Sequence, residues 1–64
     1  MTHREFRRRV LRRFTGDQVS FQFNEAEIIA TVTAGNTTIF CQSSPHREEI
    51  GMFMNGVSIG LMPW

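Results

Sequence analysis

At Gly16 the spacing of apolar residues switches from helical to extended, and no other feature constrains the fold as strongly. Before the switch, Phe6, Val10 and Phe14 recur every fourth residue with Leu11 beside them, which makes one apolar stripe on a helix. Thr2 followed three residues later by Glu5 is a capping box, and Gly16 supplies a residue that tolerates the left-handed backbone at the far end. These signals predict a helix over residues 3–14. After the switch, Val19, Phe21 and Phe23 alternate with Gln18, Ser20 and Gln22, the period of a half-buried strand. Strands are expected at about 18–23, 27–33, 37–42, 50–54 and 57–62. Turns fall at Asn24-Glu25-Ala26 and at Ala34-Gly35-Asn36, and Ser43-Ser44-Pro45 leads into a charged loop from His46 to Glu49. Asn55-Gly56 is the strongest short hairpin signal, and Pro63 cannot donate to a ladder. The chain therefore reads as mainly β with an N-terminal α-helix.

Its 64 residues allow a single domain, 1–64. A core of this size rarely supplies more than about 3–5 kcal/mol, so a staple or a partner is expected. Cys41 is the only cysteine, which excludes an internal disulfide and a multi-cysteine zinc site. Its β-branched and aromatic setting, Thr38-Ile39-Phe40-Cys41, predicts a buried, inert thiol. Self-association is then the natural remedy. The last hairpin points the same way, because Met52, Phe53, Met54, Val57, Ile59, Leu61 and Met62 make it apolar on both faces. Such a hairpin is either covered by another subunit or an aggregation hazard.

Charge divides the chain. Residues 1–13 hold six of the seven arginines against Glu5, a balance of +5, while residues 14–64 carry −4, which together give the net +1. At about 100° per residue, Arg4, Arg8, Arg9 and Arg12 are expected to point away from the apolar stripe, with Arg7 at its margin. Glu5 is spaced to pair with Arg8 or Arg9. So many positive charges on one short helix exceed what solubility requires, and arginine forks match phosphate oxygens. A membrane-surface role is disfavoured, since the apolar stripe is needed to cap the core. No apolar run reaches the length of a membrane span, and neither an apolar core nor a cleavage site follows the basic N-terminus. The expectation is a cytoplasmic protein.

A catalytic site is hard to assemble. His46 beside Glu48 and Glu49 could be drawn as a metal or proton-transfer site, but a solvated charged loop accounts for it. His3 lies on the line of the stripe and reads as a packed helix-start residue. Neither a phosphate-cradling glycine loop nor a nucleophile elbow is present. No enzyme, metal or cofactor is expected.

Met52-Phe53-Met54-Asn55-Gly56-Val57-Ser58-Ile59-Gly60-Leu61-Met62 resembles the second motif of the Sm-like family, which includes bacterial Hfq: three apolar residues, a polar residue, Gly, then an alternating strand. Leu11-Arg12-Arg13 followed by Val19-Ser20-Phe21 is similar to the helix end and first strand of Hfq, whose rim carries arginines there. One helix and five strands match the family's element order. Asn55 stands where the family has Arg, and the Tyr-Lys-His run of Hfq has no counterpart. The resemblance implies a small five-stranded antiparallel barrel and edge-to-edge pairing, strand four against strand five of the next copy. It further implies a homo-oligomeric ring of about five to seven subunits and a role in RNA processing or regulation. RNA or single-stranded DNA would meet Arg4, Arg8, Arg9, Arg12 and Arg13, with Asn36, Thr37 and Asn55 offering base-edge hydrogen bonds. Stacking aromatics are few: Phe40, Phe53 and Trp64. His46-Arg47-Glu48-Glu49-Ile50 also matches a stretch of the CsrA family of RNA-binding translational regulators. That family starts with a strand and ends with a helix, against the capping box and the Asn-Gly hairpin. The alternative reading is a small structural or adaptor protein, for instance a viral assembly component, whose basic helix docks on an acidic protein.

Overall fold

A computed structural model describes residues 1–63. Helix α1 (His3–Arg13) is followed by five strands: β1 (Gln18–Phe23), β2 (Ile28–Ala34), β3 (Thr37–Ser43), β4 (Gly51–Met54) and β5 (Val57–Leu61). All neighbours are antiparallel and the sheet runs β1-β2-β3-β4-β5 in chain order. Several ends move by one residue: the helix stops at Arg13 with Phe14 as its cap, and β2 begins at Ile28 instead of Glu27. Trp64 lies outside the described residues.

The turns follow their residue chemistry. Thr2 Oγ1 accepts the Glu5 N–H at 3.1 Å, and Asn24 Oδ1 accepts from both Ala26 and Glu27 N–H groups at 2.8 Å. Asn55 and Gly56 take φ of 54° and 77°, the pair of positive values that a two-residue hairpin turn with the strands' own twist demands.

Period-2 patterning sorts the sheet into two faces. In β2, Ile28, Ala30 and Val32 are buried while Ile29, Thr31 and Thr33 face away. The inner row through Phe21, Ala30, Cys41 and Met52 lies under the helix side. Phe6, Val10 and Phe14 cover it from α1, with Phe6 meeting Phe21 edge-on at 6.1 Å. Ile50 and Met62 join the same core, held together where the Met62 N–H donates to the Ile50 carbonyl at 2.8 Å. On the outer face, Phe40 stands directly opposite Phe53, flanked in register by Thr31 and Ser58. Leu11 was expected beside the apolar stripe but is 45% exposed.

The sheet stays open. β4 pairs with β5 of the same chain, and the free edges are β1 and β5. Every residue of β5 is exposed, Val57 at 64% and Leu61 at 56%. Between β4 and β5 the register slips: Met52 opposes Gly60 and Phe53 opposes Ser58, so Ile59 bulges without a partner and Gly60 adopts φ 118°.

Candidate nucleic-acid interface

Helix α1 puts Arg4, Arg7, Arg8, Arg12 and Arg13 at the surface. They are not equivalent. Arg8 Nη2 donates to both carboxylate oxygens of Glu5 at 2.7 Å, and this fork holds the Glu5 carboxyl below its ordinary range. Arg7 lies over the Phe21 ring, 5.3 Å from its centroid, and Arg13 over Phe14 at 5.2 Å. Arg4 and Arg12 are exposed.

Arg9 corrects the sequence reading. Expected to point outward, it is only 4% exposed, and its Nη1 donates to the Glu48 carbonyl at 3.1 Å. On a helix of about 100° per residue, Arg9 and Leu11 flank the Phe6–Val10–Phe14 stripe at similar angles on opposite sides. The segment between β3 and β4 decides which flank is covered. It is tied down by Ser43 Oγ donating to the Glu49 carbonyl at 2.7 Å, and it folds over Arg9. The local signal, an apolar Leu11 on one flank and a charged Arg9 on the other, points to the wrong flank.

Arg9, Arg12 and Arg13 come together with Pro63 around a recess of about 220 Å³. None of the described residues lining it is acidic. Asn36 and Thr37 lie in the β2–β3 reversal and Asn55 in the β4–β5 reversal, at the same end of the sheet by register. None of these three lines the arginine recess. The structure thus gathers three of the five candidate arginines and leaves the turn residues apart.

Sequence reasoning missed an aromatic ledge beside the helix. His3 stacks on Phe23 with centroids 4.3 Å apart, and Phe23 lies parallel to Phe21 at 6.1 Å, with Arg7 over the latter. Phe23 remains 39% exposed. The signal was present in the i, i+4 spacing of His3 and Arg7 and the i, i+2 spacing of the two phenylalanines.

Cys41 is fully buried, and burial pushes its thiol up to about 11. A thiol-specific disulfide reagent at pH 8 is therefore expected to leave Cys41 unmodified in the native protein and to label it fully in denaturant. Rapid native labelling would mean that the inner sheet row opens readily. His46 is exposed, and its N–H donates to Ser44 Oγ at 3.2 Å, a turn contact. Among the described residues no group of three His, Cys, Asp or Glu side chains stands together, and no helix is long and apolar enough to cross a membrane.

Comparisons of this chain with protein-family models, with curated proteins and with solved structures found no match.

Proposed function

We propose that this chain is a non-enzymatic nucleic-acid-binding module, most suited to RNA, that works as a homo-oligomeric Sm-like ring in RNA processing or regulation. The observation that carries the reading is the charge distribution on α1. Five arginines are exposed there, and the one carboxylate on that helix, Glu5, is taken by Arg8. Guanidinium groups in such a row bind phosphates by fork geometry and by release of counterions. The His3–Phe23–Phe21 ledge beside them offers faces on which single-stranded bases stack.

Assembly is supported by the exposed apolar β5 edge, which a neighbouring copy would cover. The pairing of strand four with strand five of the next copy that the resemblance implies is not open to this chain, because β4 is already flanked by its own β3 and β5. In the proposed ring β5 of one copy instead meets the free β1 edge of the next. Repetition then turns one arginine helix into a cationic rim.

Binding of a fluorescent oligoribonucleotide, followed by anisotropy over a range of salt, tests the reading. Replacing Arg4, Arg8, Arg12 and Arg13 together by Gln, with Arg9 left in place, should abolish binding near physiological salt. At low salt it should flatten the slope of log K against log salt by about 3, roughly 0.7 for each lost phosphate contact on a single strand. Undiminished binding by this variant overturns the arginine reading. Light scattering should give a mass of five to seven chains, and a monomer at micromolar concentration removes the ring. Capture of a protein partner that nuclease does not release would instead favour an adaptor role.

A further inference from the structure

We propose that the ledge of His3, Phe23 and Phe21 holds one unpaired base per chain, stacked on the face of His3 that Phe23 does not cover, and that this contact makes the module prefer single strands to duplexes. The source of the base rests on the nucleic-acid reading above; where and how it is held rests on the geometry of the ledge.

Matched spacing builds the ledge. His3 and Arg7 stand four residues apart on α1, a rise of about 6 Å along the helix. Phe21 and Phe23 stand two residues apart on β1 and so share one side of the sheet, with ring centroids 6.1 Å apart and planes within 6° of parallel. The two repeats lie one over the other: His3 stacks on Phe23 at 4.3 Å, and Arg7 sits over Phe21 at 5.3 Å. His3 is exposed, and Phe23 is the one ring it meets among the described residues. A flat aromatic group such as a nucleobase continues that stack by one layer.

The platform exists before any ligand arrives. Phe6, fully buried, meets Phe21 edge-on at 6.1 Å and ties the inner end of the ledge to the core. Phe23 keeps 39% of its surface exposed although His3 covers it, so the outer end stays open to solvent. A base landing there gives up its own freedom without first ordering the side chains beneath it. Bases inside a duplex cannot use the ledge, because their faces are already covered by their neighbours in the stack. Arg4 and Arg7 follow His3 on the same helix, and neither is ion-paired among the described residues. They can meet the phosphate of the stacked nucleotide. Every nucleotide carries that phosphate, however, so the selection for an unpaired base comes from the rings.

The test compares a single-stranded adenine oligonucleotide with an abasic strand of equal length and charge, at fixed ionic strength. The intact strand should bind the parent protein about tenfold more tightly, the scale of one stacked base. In proton NMR spectra the imidazole resonances of His3 should move upfield with the intact strand, through the ring current of the base. They should stay in place with the abasic strand and with a duplex of the same sequence. His46, exposed on the β3–β4 segment, is the internal control. His3→Ala with Phe23→Ser should bind both strands alike while keeping the parent's salt slope, because the arginines are untouched. His3→Phe keeps a ring in the same place and should keep the preference. Equal binding of intact and abasic strands by the parent, with His3 unmoved, overturns the ledge site and leaves the arginine reading standing. A preference for the intact strand without a His3 shift puts the base elsewhere and equally overturns the ledge. A His3 shift of the same size with the duplex overturns the selection for unpaired bases. If neither strand binds, the nucleic-acid reading fails and the ledge site falls with it.

Discussion

Phe6→Ala is expected to leave this chain without a cooperative unfolding transition at 25 °C. Phe6 is fully buried, packs edge-on against Phe21 and joins the helix to the inner sheet row. Truncating a buried phenylalanine costs about 3–5 kcal/mol through lost transfer energy and the cavity left behind. That equals the whole stability of about 3–5 kcal/mol that a core of this size commonly supplies. Loss of the near-ultraviolet signal and a flat urea titration would register the effect. Leu11→Ala on the same helix is the control: it removes half as many carbons, from a residue 45% exposed, and should shift stability by no more than about 0.5 kcal/mol. A cooperative Phe6→Ala melt close to the parent's would mean that the helix does not cap the core.

Arg9→Ala is expected to behave as a core mutation despite removing a charge. It deletes the donor to the Glu48 carbonyl and the aliphatic stem packed beneath the β3–β4 segment. Removing a charged donor from a part-buried acceptor, together with the stem, costs about 2–3 kcal/mol. The urea midpoint should fall accordingly. Arg9→Met keeps the stem and loses the donor alone, so it should recover part of the loss. Arg12→Ala, one turn on and exposed, should leave stability within about 0.5 kcal/mol of the parent. If Arg9 and Arg12 behave alike, the β3–β4 segment does not depend on Arg9.

Those two arginines mark the boundary between what was legible in the sequence and what was not. Periodicity carried the order of elements: stripe residues Phe6, Val10 and Phe14 are buried, and β2 alternates as its pattern requires. Asn55-Gly56 took the backbone angles its chemistry favours, because that preference is local and owes nothing to tertiary contacts. Arg9 failed for the opposite reason. Its burial comes from a segment some 40 positions away that folds over one flank of the helix, and no window of neighbouring residues encodes that. Barrel closure was equally illegible, since a run of five antiparallel strands is compatible with an open sheet and with a closed one. Here β1 and β5 remain edges. The arginine recess needed Pro63 to return beside the helix, a consequence of where Ile50 and Met62 pack. The ledge of His3, Phe23 and Phe21 was legible in principle, but only after helix and first strand are laid side by side.

Ile59 gives the last hairpin a property beyond its exposure. A straight, apolar outer strand is a template on which copies add without limit, and the product is a fibre. The unpaired Ile59, with Gly60 turned into a conformation that a side chain resists, interrupts the ladder halfway along and bends the strand. An incoming chain can match such a strand over only a few residues before the curvature carries it aside. The kink therefore works against endless strand addition along β5, as the closed ring proposed above requires.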